Sequence, residues 1–120
     1  MGKINSYKDL QVWQKAMDLV DLIYTATRSF PKDELYGLTN QLRRAAVSVP
    51  SNIAEGRSRQ SKLEYRQFIS IARGSLAEIE TQLIIAQRQG YLTEDTVKII
   101  MELHDEVGKM TTTMFKTLSS

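Results

Sequence analysis

The residues that could do chemistry in this chain are few, and most active-site designs fail on their number or spacing. His104 is the only histidine and there is no cysteine. Disulfides, thiolate metal sites and cysteine nucleophiles are therefore excluded. A ferritin-like di-iron centre takes a Glu-x-x-His motif from each of two helices, and catalytic zinc sites are commonly built on two or three histidines. One histidine supplies neither, and His104 reads as a boundary or interface residue at the inner edge of a helix. Glu78 and Glu80 lie two positions apart, so on a helix they diverge by roughly 160° and cannot share a substrate. Asn52 and Glu55 are one turn apart and can face the same partner, or form a hydrogen-bonded polar layer. Gly74-Ser75 falls inside a helical stretch, where a small pair permits close packing. No nucleotide-binding or nucleophile-elbow fingerprint occurs. The expectation is a protein with no catalytic residues, no metal and no cofactor, and so not an enzyme.

The basic residues are a sharper signal. Net charge is only +2, but residues 41–75 hold seven Lys/Arg against Glu55 and Glu64, which leaves the rest of the chain net negative. Lys62, Arg66 and Arg73 recur at spacings of four and seven, which returns them to one helix face. Arg57 and Arg59 precede that helix, and Arg44 lies on the polar side of the helix before it. Together these six residues form a candidate phosphate-tracking stripe. Alternatively, Arg43, Arg44 and Arg73 pair with acids across subunit boundaries, where arginine is enriched. No aromatic residues are read as interleaved with the arginines, so base stacking by single-stranded nucleic acid is not expected.

The elements that must position these groups are helices. Two prolines, six glycines and no alternating apolar–polar run leave little room for strands. The spacing predicts helices over about 8–29, 32–55, 62–89 and 94–118. The first follows a capping box at Ser6 and Asp9, and the second opens on Pro31 with acids in its first turn. Pro50 should kink the second helix, with an Asn-capped restart as the alternative. The third starts at Ser61-Lys62-Leu63-Glu64, and the fourth is capped by Thr93. Short connectors make successive helices antiparallel. The expected fold is all-α: one up-down-up-down four-helix-bundle domain spanning 1–120. Residues 1–6 lack a signal-peptide core and no window is apolar enough to span a bilayer, so a cytoplasmic protein with no membrane partner is expected.

The first helix carries two apolar seams, Leu10, Trp13, Met17, Val20 and Tyr24, and beside it Val12, Ala16, Leu19, Ile23 and Ala26. A bundle helix needs one such stripe. The second is assigned to a subunit interface, with its Val12, Leu19 and Ile23 and the neighbouring Trp13 as the candidate residues. Leu19→Asp should then dissociate the oligomer.

The stretch Glu34-Leu35-Tyr36-Gly37-Leu38-Thr39-Asn40-Gln41-Leu42-Arg43-Arg44-Ala45-Ala46-Val47-Ser48-Val49-Pro50-Ser51-Asn52-Ile53-Ala54-Glu55-Gly56 closely resembles the four-helix-bundle family of proteins encoded in intervening sequences of bacterial 23S rRNA genes. Asp9-Leu10-Gln11-Val12-Trp13, Phe30-Pro31 and Ala72-Arg73-Gly74-Ser75-Leu76-Ala77-Glu78 agree, so the resemblance runs from about residue 7 to 118. Leu42 and Val49 stand where the family more often has isoleucine. The resemblance implies a homopentameric ring of basic character. It also implies kinship with the accessory protein of diversity-generating retroelements, which binds a reverse transcriptase and nucleic acid. The expected function is a homo-oligomeric RNA- or DNA-binding accessory protein. An oligomeric scaffold that binds another protein is the alternative.

Overall fold

A computed structural model describes residues 6–119. The leader-peptide reading rests on residues 1–6, of which all but Ser6 lie outside the described residues, as do the extreme ends of the 1–120 domain. Four helices make up the fold: α1 Gln11–Thr27, α2 Leu38–Arg57, α3 Lys62–Arg88 and α4 Glu94–Thr117. There is no strand among the described residues. Successive helices pack against one another and α4 returns to α1, so α1 and α3 lie on one diagonal and α2 and α4 on the other. Neighbours are antiparallel. The end of α1 meets the start of α2 where Arg43 Nε donates to Thr27 Oγ1 at 2.8 Å. The end of α4 meets the start of α3 where Arg66 Nη1 donates to Ser119 Oγ at 3.1 Å.

The helix starts differ from expectation at two places. Ser6 Oγ accepts from Lys8 N and Asp9 Oδ2 accepts from Ser6 N, so the capping box forms. It closes only a 3₁₀ turn, Tyr7–Asp9, and α1 begins afresh at Gln11. Pro31 likewise precedes a 3₁₀ turn, Lys32–Glu34, and α2 waits until Leu38 because Gly37 takes a non-helical conformation, φ −109° and ψ −115°. The Glu34 carboxylate caps α2 across this gap: Oε1 accepts from Leu38 N at 3.1 Å. Its other oxygen accepts from the Tyr91 hydroxyl at 2.9 Å, tying the α3–α4 connector to the α1–α2 connector. The remaining caps form as read, Ser61 Oγ accepting from Glu64 N and Thr93 Oγ1 from Thr96 N. At the end of α3, Gly90 turns left-handed at φ +80° and Tyr91 N donates to Ala86 O at 2.9 Å.

α2 is continuous through Pro50, so no restart occurs. Pro50 has no N–H to offer the preceding turn. One turn over, Asn52 Nδ2 donates to Ser48 O at 2.8 Å and Ser48 Oγ at 2.9 Å. Ser75 Oγ on α3 donates to the same Ser48 Oγ at 2.7 Å, making a polar layer across the α2–α3 contact. α2 also continues past Gly56, which permits close approach and does not stop the helix. A Cβ there would stand 2.9 Å from both Phe68 Cβ and Tyr65 Cδ1.

The core is built from Leu42, Ala46, Val49 and Ile53 of α2, Ile69, Ala72, Leu76, Ile79, Leu83 and Ala86 of α3, and Val97, Ile100 and Val107 of α4. From α1 it takes Val12, Ala16, Leu19 and Ile23, all 4% exposed or less. The two seams of α1 are therefore exchanged relative to expectation. Val12, Leu19 and Ile23 are interior residues of the subunit and cannot serve as an interface. The seam left outside is Leu10, Trp13, Met17, Val20 and Tyr24, half-buried except for the exposed Met17. Both seams obey the same spacing, and the inner one wins because its smaller residues, with Ala16 at its centre, let α2 and α4 approach on both sides. Of the four interface candidates only Trp13 stays at the surface, where Tyr7 packs edge-on against it at 5.3 Å.

Candidate nucleic-acid interface

A groove lies outside each of the four helix–helix edges, and the grooves differ in kind. The two that flank α1 are apolar. One is lined by Trp13, Met17, Val20 and Val47 with Pro50 and Ala54, the other by Leu10, Val12, Met110 and Met114. The two that flank α3 are polar. Arg44, Gln41, Ser48, Glu78 and Gln82 line the α2–α3 groove. The α3–α4 groove is the largest, about 770 Å³, and holds Arg73, Glu80, His104, Asp105 and Lys109. Glu78 and Glu80 thus open onto opposite sides of α3, as their spacing requires.

The same division separates the basic residues. Arg44 is exposed on the α2–α3 side, away from Arg73, so it does not join a single stripe with the others. Arg59 is exposed at the end of α2, pairs with Glu55 at 3.4 Å, and lies 4.8 Å from the Phe68 ring centroid. Glu55 therefore faces Arg59, while Asn52 belongs to the serine layer. Arg57 is half-buried, and its charge acts against the burial that raises the Tyr65 phenol above its usual range. Lys62 is exposed in the first turn of α3. Arg43 leaves the set. It stacks 4.7 Å over Tyr24 while bonding Thr27, and so joins α1 to α2 with no acid partner among the described residues.

Arg66 and Arg73 are brought together, and by an unexpected group. Their guanidinium carbons lie 5.4 Å and 4.8 Å from the ring centroid of one residue, Phe115 of α4. Neither pairs with a carboxylate among the described residues. Both side chains and the ring are half-buried. The expectation that no aromatic accompanies the arginines is overturned. Phe115 is more than forty positions from either arginine in sequence and meets them only because α4 runs antiparallel to α3. Ile69 fills the core position of this turn of α3 and leaves the adjacent Phe68 half-exposed for Arg59.

His104 is interior, 6% exposed, and not a boundary residue. Nε2 lies 2.6 Å from the Leu76 carbonyl, which can only accept, so this nitrogen donates. Nδ1 faces Asp105 Oδ1 at 3.0 Å. His104 belongs to the 3-4-3-4 series Val97, Ile100, His104, Val107, Thr111, the buried stripe of α4. That spacing was a usable signal, whereas hydropathy favoured Leu103 and Met110, which are half-buried. Among the described residues no three His, Asp or Glu side chains converge as metal ligands. No helix is long and apolar enough to cross a membrane.

Comparison with known proteins fits this architecture. No curated protein matches the chain. A crystal structure of a protein of unknown function from the S23 ribosomal protein family of Bacteroides thetaiotaomicron VPI-5482 superposes with a TM-score of 0.79. It is 22% identical, and the alignment covers 88% of this chain and 98% of that one, a likeness of fold. The family model of the 23S rRNA-intervening sequence proteins matches residues 8–113, and the chain belongs to that family.

Proposed function

We propose that this protein is a non-enzymatic, cytoplasmic, homo-oligomeric nucleic-acid-binding accessory protein with RNA as its ligand, assembled as the pentameric ring that the family resemblance implies. One observation carries the reading: Arg66 and Arg73 sit side by side on α3 with no acid partner among the described residues, and exposed Lys62 lies on the same helix face. Two half-buried guanidiniums with no counter-charge among the described residues are an electrostatic arrangement that phosphates would complete. The apolar grooves beside α1 supply surface for self-association, and a closed ring would repeat the basic patch and raise avidity.

The test is a binding titration at several salt concentrations on the wild type and on Lys62→Glu/Arg66→Glu. Affinity should fall steeply with salt, and the double variant should lose RNA and DNA binding while keeping its helicity and mass. Undetectable binding at low salt, or strong binding indifferent to salt, would refute the reading. The second reading is a protein adaptor, with a reverse transcriptase among the partners that the resemblance suggests. It is favoured by Leu35 and Tyr36, adjacent at one end of the bundle and 50% and 90% exposed. Capture of a specific protein by the oligomer, lost in Tyr36→Ala, would support that reading.

A further inference from the structure

We infer that the Phe115 platform makes this surface selective for single-stranded over double-stranded nucleic acid, through a base stacked on the outer face of an arginine held by the ring. The inference rests on the binding proposed above and names the class of strand. A guanidinium is planar, with two faces and an edge of N–H donors. Arg73 and Arg66 lie over the Phe115 ring at 4.8 and 5.4 Å, and a guanidinium with one face on a ring has its second face to offer a base. Arg66 is further held by its bond to Ser119 Oγ at 3.1 Å. Arg59 repeats the motif on Phe68 at 4.8 Å, one connector away.

Bases of a single strand can splay out and stack on aromatic rings or guanidinium planes, whereas those of a duplex are already stacked on one another. The ring also immobilises side chains that would otherwise lose rotamer freedom on binding. Lys62 is exposed on the same face and available to the flanking phosphates. Neither a stacked base nor a phosphate contact uses the 2′-hydroxyl, so RNA and DNA strands should bind alike.

Pure electrostatics predicts the opposite order, which makes the test decisive. Duplex carries the denser charge and has the steeper salt dependence, with a slope of about −0.9 per phosphate neutralised against about −0.7 for single strands. The experiment titrates the full-length oligomer with 15-nucleotide single strands of RNA and DNA and with the matching duplexes, at one salt concentration. Single strands of both kinds should bind about tenfold more tightly than duplex, the scale of one stacked base. Arg73→Lys keeps the charge and removes the plane. It should weaken single-strand binding about tenfold more than duplex binding, the scale of one stacked base, and so erase the single-strand preference. Phe115→Leu should act in the same direction, and Arg73→Lys decides the matter should Phe115→Leu fail to fold. Equal or tighter duplex binding overturns the inference while leaving the electrostatic reading standing, and so does an intact preference in Arg73→Lys. A tenfold preference for RNA over DNA strands overturns it as well. No binding of any strand at low salt removes both readings together.

Discussion

Leu19 and Met17 occupy the two seams of α1, and replacing each separates a fold-forming residue from one free to act outside the subunit. Leu19 is fully buried, whereas Met17 is 38% exposed beside Trp13, Val20 and Val47. Leu19→Ala removes a side chain enclosed on all sides. The lost transfer energy and the residual cavity cost about 2–5 kcal/mol, a large share of the roughly 5–15 kcal/mol that holds a domain folded. With a urea dependence of about 1–3 kcal/mol per molar, a loss near 3 kcal/mol lowers the unfolding midpoint by roughly 1–3 M. Leu19→Asp adds a buried unpaired charge, so it should unfold the subunit and not release it intact. Met17→Glu meets solvent on one side, and its direct effect on subunit folding should stay within about 0.5 kcal/mol. Its effect should fall on assembly, as a loss of sedimenting mass with helicity retained. Urea denaturation followed by circular dichroism at fixed protein concentration, with sedimentation velocity on the same samples, measures both quantities. A Leu19→Ala protein with an unmoved midpoint and reduced mass would refute the assignment and return Leu19 to the outer seam.

Two further outcomes follow from particular contacts. Gly56→Ala should destabilise the subunit in a denaturation curve, because the new methyl would stand 2.9 Å from Phe68 Cβ and the Tyr65 ring. Gly74→Ala meets nothing within 4 Å and should gain up to about 1 kcal/mol of helix propensity. The Tyr91 hydroxyl is raised above its usual pKa of 10.0, first by its hydrogen bond to Glu34, then by burial and the charges of Glu34 and Asp33. A pKa raised by folding gives stability that is complete below the unfolded value and lost as pH climbs through the folded one. Melting temperature should therefore fall above about pH 10, and Tyr91→Phe should flatten part of that fall. The phenol of Tyr65 stays in both proteins as an internal control. Identical alkaline slopes in the two would show that the Tyr91–Glu34 bond contributes nothing to folding.

The fold was legible because its signals are local. The caps at Ser61 and Thr93 and the 3-4 spacing in α2 and α3 each depend on residues within two turns, and they placed α3 and α4 to within a residue. What was illegible depends on neighbours from other helices. The two seams of α1 are equally periodic, so sequence alone could not say which one α2 and α4 would cover. His104 followed the spacing of its stripe but not the hydropathy, since its polarity is satisfied by a carbonyl of α3 that no sequence pattern announces. The same holds for Phe115, whose arginine partners lie on the preceding helix, more than forty positions back in the chain. The stripe of Lys62, Arg66 and Arg73 was legible, while the ring that organises it was not.

The diagonal arrangement of α1 and α3 gives the two proposed activities separate surfaces. Self-association through the outer seam of α1 would engage Trp13, Met17 and Val20 with Val47 of α2. The arginine platform stands on the α3–α4 edge, and α1 lies diagonally across the bundle from α3. A contact made by α1 therefore leaves Arg66 and Arg73 uncovered on the subunit that provides it. A closed ring needs a second, different face on each subunit to receive that seam. α3 offers one in Leu63, Ile71 and Ile85, all exposed and recurring at helical spacing about a third of a turn from the arginine stripe. Joined in that way, the subunits would bury both apolar faces and keep the platform at the margin of each joint. The basic charge of neighbouring subunits would then line up along one path, at a spacing fixed by the ring. A strand following that path would meet one guanidinium platform per subunit, which is how a surface with a net charge of only +2 per chain could hold a polyanion.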